Sequence, residues 1–301
     1  MNRFDAIDLS RLPAPRVVER LDFETVFRRN RDALVLLMPE AAPALALESE
    51  PLTKFVQLLS YNELVLRHRV NEGARATMLA FARAGDLEHL AALFGVRRLV
   101  VSPGDPEARP PEPPVLESDE DLRARTQLAL EGFSVAGPAG AYVFHARAVD
   151  GAIRDVEAVS PQPGRVDVVV LTRTDRGVPS AALLARVEAA LSADDVRPLC
   201  DTVTVRAAAV ADYAVVARIA TDAGPDPEAL RQEVVARVEM LVERLHRLGR
   251  SVPRSALLGA LHQPGVRAVA LDAPAADIVR ATGEAAWCTG VAVTIDASVG
   301  P

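Results

Sequence analysis

The sequence predicts an α+β protein in which a helical N-terminal domain is followed by two small α/β modules with mixed sheets. Three observations support this prediction. Apolar residues recur at helical spacing after Pro51, and no further proline occurs before about Arg83. A proline-rich segment follows, and its prolines disfavour both helix and central strand. Beyond it, a strand–helix–strand pattern occurs twice. We therefore expect four parts: a helical domain over 1–101, a linker over 102–117, a central α/β domain over 118–208 and a C-terminal α/β domain over 209–301.

The first residues of the chain predict an arm and one helix. Residues 1–20 contain Leu12-Pro13-Ala14-Pro15 and mixed charges, which favours an extended arm lying on a neighbour or on the protein's own body. Apolar residues from Asp22 to Met38 recur at helical spacing, and Pro39 ends that helix.

The longest predicted helix begins at Ser49-Glu50-Pro51 and continues to about Arg83. Two interpretations of this helix stay open: it is the core helix of its own domain, or it shares a bundle with another chain. Its length of roughly 30 residues exceeds the 8–20 that are usual in globular domains, which favours the shared bundle. The apolar stripe of this helix is formed by Leu52, Phe55, Val56, Leu59, Leu66 and Val70, with Leu58, Tyr61 and Val65 widening it. Of the stripe, the candidate interface residues are Leu52, Phe55, Leu59, Leu66 and Val70.

The remaining elements follow from turn and cap signals. Ser118 and three following acids start a helix that ends at Gly132, and Gly137-Pro138 start another. Pro163-Gly164 predicts the turn of a β-hairpin. The other predicted elements are a short helix over 86–94, strands over 99–101, 153–159, 166–171, 202–205, 213–220, 266–271 and 291–295, and helices over 180–191, 228–248 and 254–261.

Charge and composition exclude several classes of partner. The net charge of −7 argues against nucleic acid, because phosphate binding needs a basic face. No apolar run approaches the length that spans a bilayer, so we expect no membrane partner. The N-terminus lacks the apolar stretch of a signal peptide, and we expect the protein to be made and folded in the cytoplasm. Cys200 and Cys288 stand far apart, which favours two free thiols.

No catalytic or metal-binding pattern emerges, so we expect no enzyme activity, no cofactor and no metal. The five histidines lack metal-ligand spacing, and neither a P-loop nor a dinucleotide fingerprint is present. Asp194 and Asp195 are adjacent carboxylates that a small hydrolase would need to combine with further acids or histidines in a pocket. Arg197, before Pro198, is either a solvated loop residue or a fixed salt bridge at a domain or subunit contact, and it completes the candidate interface set.

Several blocks together resemble the baseplate J-like family of P2-like contractile-tailed phages. The resemblance covers nearly the full length and keeps the order of the blocks; the differences are substitutions between them. The blocks are Leu9–Pro15, Leu47–Pro51, Arg69–Glu72, Glu117–Arg123, Glu131–Tyr142, Asp195–Val205 and Ala273–Val279.

The resemblance implies a structural role in the tail baseplate of a virion. Proteins of this family form wedges around the central hub of the tail, and they carry no catalytic residues. The implied partners are a second copy of the chain, a helix-rich wedge protein similar to protein I, and other wedge and sheath-initiating proteins. The N-terminal helices would pair within a wedge, and the C-terminal domains would join adjacent wedges into a ring that changes diameter. A small hydrolase and an adaptor of a related injection system remain as alternatives.

Overall fold

The computed structural model describes residues 7–13, 15–133, 138–193, 196–198, 200–222 and 226–296. Its helices and small mixed sheets confirm the predicted α+β class. The chain divides into two compact units. One is helical and contains the described residues up to Arg97 together with Ser118–Thr126; the other is α/β and contains Arg98–Glu117 and the described chain from Gln127 onward. The four domain limits predicted from the sequence stay predictions.

The helical unit has a small apolar core. Phe27, Leu34 and Leu52 pack against a buried cluster of Ala41, Leu45 and Val56. The first helix is capped by Asp22, whose carboxylate accepts a hydrogen bond from the Thr25 backbone N–H at 2.9 Å. The helices of this unit are α1 (Phe23–Leu37), α2 (Ala42–Leu45), α3 (Pro51–Ala76), α4 (Ala84–Ala92) and the beginning of α5 (Asp119–Gly132), with 3₁₀ turns at Leu9–Arg11 and Pro39–Ala41.

The long helix α3 ends at Ala76, so the predicted end near Arg83 is wrong. A contact distant in sequence explains the difference. Arg123 of α5 donates hydrogen bonds to the carbonyls of Leu79, at 2.7 Å, and Ala82, at 2.6 Å. These carbonyls are therefore satisfied by a guanidinium rather than by a continuing helix, and the chain turns before α4.

The proline-rich segment, predicted as a linker, lies between the two strands of a short antiparallel ribbon. β1 (Val100–Ser102) pairs with β2 (Val115–Leu116). Between them, the backbones of Asp105 and Glu112 exchange two hydrogen bonds of 3.0 and 2.8 Å. The six prolines of this segment lie between β1 and β2 and outside both strands, so neither strand loses a backbone N–H donor to proline.

The central sheet confirms the predicted hairpin and adds a parallel strand. β3 (Ile153–Gln162) and β4 (Arg165–Thr172) pair antiparallel, and β5 (Thr202–Ala207) pairs with β4 in parallel. Apolar residues of α6 (Ala139–Ala148) and α7 (Ala181–Leu191) share a buried core with one face of this sheet. The predicted helix start at Pro138 is confirmed, whereas Gly137 lies outside the described residues.

The C-terminal sheet has the strand order β7-β6-β8. The central strand β6 pairs antiparallel with β7 and parallel with β8, and two helices share a buried core with the sheet. Helix α8 ends at Leu245, so its predicted end at Leu248 is wrong; the backbone of His246 leaves the helical conformation at ψ 74°. The elements are β6 (Ala209–Thr221), α8 (Pro227–Leu245), α9 (Arg254–Leu261), β7 (Val266–Ala273) and β8 (Glu284–Ile295).

Candidate interaction surface

Three of the four buried residues of α3 are polar, whereas an ordinary amphipathic helix buries its apolar side. The four are Thr53, Val56, Ser60 and Asn71. The Ser60 hydroxyl donates to the Val56 carbonyl at 2.7 Å, and the Thr53 hydroxyl donates to the Ala44 carbonyl at 3.2 Å. The polar groups that α3 buries are thus hydrogen-bonded, as burial requires.

Polar contacts also hold α3 against α1. The Asn30 side-chain amide donates to Ser60 Oγ at 3.1 Å and to Glu63 Oε2 at 3.2 Å. Arg29 forms an ion pair with the same carboxylate, and Arg67 binds it at 2.8 Å. Hydrogen bonds from Arg29 and Asn30 hold the pKa of Glu63 below its usual range. Polar pairing therefore fixes how α3 lies on its own unit.

The chain before α1 is bound to α3. Asn71 donates to the backbone carbonyl of Glu19 at 2.8 Å and accepts from its N–H at 3.0 Å. Arg67 binds the Glu19 carboxylate at 2.9 Å. The N-terminal arm was expected to lie either on a neighbour or on the protein's own body. At Glu19 it lies on the protein's own body. Asn71 therefore orders this segment.

The outward side of α3 carries large apolar side chains. Phe55, Leu59, Leu66 and Val70 are 57%, 48%, 67% and 63% exposed. Their spacing of four, seven and four residues puts them on one stripe, which we call the outer face of α3. The residues predicted to widen the stripe are exposed as well: Leu58, Tyr61 and Val65. The outer face is therefore open in this chain, and its role as an interface stays a prediction.

Two predicted interface residues do not belong to the outer face. Leu52 is half-buried and packs against the apolar cluster of its own unit. Arg197 is exposed and belongs to the α/β unit. Near it, the Tyr142 hydroxyl donates to the Asp201 carboxylate at 2.7 Å, and burial together with this hydrogen bond raises the pKa of Tyr142.

Exposed apolar residues at the end of α1 were not among the predicted interface residues. Leu36, Leu37 and Met38 are all exposed, the first two by at least 80%. Three consecutive apolar residues cannot all face the inside of one helix, and this signal was available in the sequence. They enlarge the apolar surface of the helical unit.

Metal-binding groups and membrane-spanning helices were sought among the described residues. Among them, no group of three or more His, Cys, Asp or Glu side chains is arranged to hold a metal ion. Asp194 and Asp195, the acid pair of the hydrolase alternative, lie outside the described residues. Within the same described ranges, none of the helices combines the length and the apolar character that crossing a membrane requires.

Comparison with known proteins gives matches to family models, to a relative and to a solved structure. The model of the Baseplate J-like N-terminal domain matches residues 48–105, which include all of α3, and that of the Baseplate J-like central domain matches residues 134–207. Baseplate protein J of Escherichia phage P2 is 46% identical over 288 residues, covering 94% of this chain and 95% of that protein. A chain in the cryo-EM structure of the anti-feeding prophage (AFP) baseplate, 6-fold symmetrised, is 15% identical with a TM-score of 0.39, covering 59% of this chain and 44% of that one.

Proposed function

The chain belongs to the baseplate J-like family, and on that premise we propose that it is a structural component of a contractile-tail baseplate, built into the wedges around the hub. Its place in the particle is the tail baseplate, and its role is assembly rather than catalysis. The full-length likeness to baseplate protein J of phage P2 supports the baseplate assignment. The wedge position and the partners are part of the proposal.

The observation that carries the wedge proposal is the reversed polarity of α3. The helix buries Thr53, Ser60 and Asn71 while Phe55, Leu66 and Val70 face outward. Water-exposed side chains of this size each gain about 1.5–3 kcal/mol when they are fully buried. A contiguous set of them on one helix is typical of a surface that another protein covers.

The occupants we propose are helices of the same wedge. A helix groove or bundle accommodates apolar residues spaced by four and seven positions, which is the spacing of the outer face. We propose that two copies of this chain and one helix-rich wedge protein share the bundle. The α/β unit, including Arg197, then contacts neighbouring wedges and sheath-initiating proteins.

The test is assembly of tails with a variant outer face. Phe55→Asp combined with Leu66→Asp places two charges in the proposed bundle while leaving the buried side of α3 unchanged. The matched control is Met240→Asp, since Met240 is a helical residue with 60% exposure in the other unit. Circular dichroism verifies that all variants fold.

We expect the double variant to yield particles without wedges, whereas the control assembles normally. Cryo-electron microscopy of purified tails with the chain traced in the baseplate gives the decisive readout. Normal baseplates built from the double variant, or tails in which the chain occupies no baseplate position, would overturn the proposal.

A further inference from the structure

Polar groups join the central sheet to the C-terminal sheet inside the α/β unit. Arg154 of β3 is 5% exposed, and its Nε donates to the backbone carbonyl of His246 at 2.6 Å. Its guanidinium also binds the side chain and the backbone carbonyl of Glu243 at the end of α8. Arg247 donates back to the Arg154 carbonyl at 2.8 Å. We call the contacts of residues 154–155 with residues 243–248 the junction.

The junction combines these hydrogen bonds with a buried apolar cluster. The Leu248 N–H donates to the Asp155 carboxylate at 3.0 Å. The side chain of Leu248 packs with residues from both sheets and from the link between them, namely Val169, Leu171, Ala208 and Ala285. Leu248 therefore contributes to the junction through its backbone and through its side chain.

His246 lies inside the junction and is 3% exposed. Its Nδ1 is 2.8 Å from the carbonyl oxygen of Ala286, and a carbonyl only accepts, so Nδ1 carries the proton of the neutral ring. Nε2 is then unprotonated and can only accept a hydrogen bond. It has no hydrogen-bond partner within the described parts of the chain. A neutral imidazole fits this setting, but a second N–H would be buried without an acceptor.

The groups around the ring reinforce this preference. β3 contributes Arg154 and Asp155, and the segment of His246 itself contributes Glu243 and Arg247. Arg154 binds Glu243, while the Asp155 carboxylate accepts from the Leu248 N–H. β8 contributes the Ala286 carbonyl and the Trp287 indole, whose ring stands edge-on at 5.0 Å from the imidazole.

A loop with unusual backbone closes the Nε2 side of the ring. Asp175, Arg176 and Gly177 follow β4 with φ of 52°, 60° and 89°. Three successive residues in the left-handed region cost free energy, above all at the two that are not glycine. A Cβ on Gly177 would stand 2.9 Å from Nε2, so only glycine allows the loop to approach this closely.

We propose that His246 is a proton-sensitive latch: the neutral ring holds the two sheets as one block, and protonation at Nε2 opens the junction. An added proton would create a buried cation that lacks an acceptor and lies beside Arg154 and Arg247. Opening the junction hydrates the ring and releases the strained loop over it. In the assembled wedge, the latch would make the relative position of the two sheets dependent on pH.

The electrostatics of the ring agree with this geometry. Burial, and then the nearby charges of Arg154 and Arg247, lower the pKa of His246 by more than the Ala286 carbonyl and Glu243 raise it. An unperturbed histidine titrates at about pH 6.5. The closed junction therefore has its full stability above that pH, and it loses stability as the pH falls through the lowered pKa of the folded state.

Trp287 provides a local reporter, because it is the single tryptophan of the chain and contacts His246 directly. A protonated imidazole quenches an adjacent indole. In the intact chain we expect Trp287 emission to be constant above about pH 6.5 and to fall at lower pH, while far-ultraviolet circular dichroism stays unchanged.

Two variants make the test specific. His246→Asn keeps a side-chain N–H at the position of Nδ1 for the Ala286 carbonyl but cannot titrate, so its emission should not respond to acid. His262→Asn is the matched control, since His262 also follows the end of a helix but is exposed. This control should titrate like the unmodified chain. The same acid response in His246→Asn, or loss of the response in His262→Asn, would refute the latch.

Hydrogen exchange of the unmodified chain provides a test that does not depend on a variant folding. We expect the protection factor of the Leu248 amide, which binds Asp155, to drop on acidification below about pH 6.5. The amide of Val170, which belongs to the fully buried part of β4, should keep its protection. Equal loss at both amides would mean general unfolding, and no loss at Leu248 would mean that the junction does not open; either result rejects the proposal.

Discussion

The substitution Leu66→Gln tests whether the outer face of α3 is an interface or part of the protein's own core. Leu66 is 67% exposed, so the isolated chain has buried only about a third of its side chain. Glutamine forms helix about as well as leucine, which leaves the helical propensity of α3 nearly unchanged. The substitution therefore alters the apolar surface and little else.

The expected magnitudes follow from the exposed fraction. Full burial of a leucine side chain stabilises a protein by about 1.5–3 kcal/mol. Because only about a third of Leu66 is buried in the isolated chain, the substitution should lower its unfolding free energy by at most about 0.5–1 kcal/mol. If a partner covers the remaining two thirds, the substitution should make the binding free energy about 1–2 kcal/mol less favourable. That change raises the dissociation constant roughly 5- to 30-fold. The two losses are measured separately on one variant.

Val56→Ala on the same helix is the contrasting variant. Val56 is 3% exposed, and removing two methyl groups costs the isolated chain about 1.6 kcal/mol plus the cost of the cavity. Urea denaturation gives the unfolding free energies, and sedimentation with the wedge partner gives the binding. If Leu66→Gln destabilises the isolated chain as much as Val56→Ala does, or leaves association unchanged, the outer face is not an interface.

Three further predictions concern stability and are measured by urea denaturation of the purified chain. Asn71→Ala removes both hydrogen bonds to Glu19 and should cost about 1–3 kcal/mol, whereas Asn62→Ala on the exposed side of α3 should be nearly neutral. Leu191→Ala empties a fully buried site beneath the central sheet and should cost about 2–5 kcal/mol; the exposed Leu130→Ala serves as its control, and equal losses would contradict the assigned core. Ser180→Ala removes the oxygen that accepts from the Leu183 N–H at the start of α7 and should cost about 0.5–2 kcal/mol, with Ser180→Asp retaining most of the stability.

Local signals predicted most elements of the fold. Helix α9 has the limits Arg254–Leu261 that the sequence predicts, and Ser118 and Ser180 accept the hydrogen bonds expected of helix caps. The turn at Pro163-Gly164 joins the predicted hairpin of β3 and β4. These features depend on residues within a few positions of one another, so the sequence carries the information directly.

Helix ends that depend on distant contacts were predicted wrongly. α3 ends earlier than predicted because Arg123 donates hydrogen bonds to the Leu79 and Ala82 carbonyls, which follow the helix. Arg123 is more than forty residues away from both in sequence. α8 stops at Leu245 because residues 246–248 leave the helix and bind Arg154 and Asp155, about ninety residues earlier. No local pattern reports such partners.

By itself, the sequence determined the apolar stripe of α3, the caps and turns, and the membership of the baseplate J-like family, because each of these depends on residue types and their spacing. Only the tertiary structure decided which side of α3 is already occupied, because periodicity shows that a helix has two faces but not which one its own chain covers. It also placed His246 between two sheets, where burial and the two neighbouring arginines lower the pKa of the imidazole.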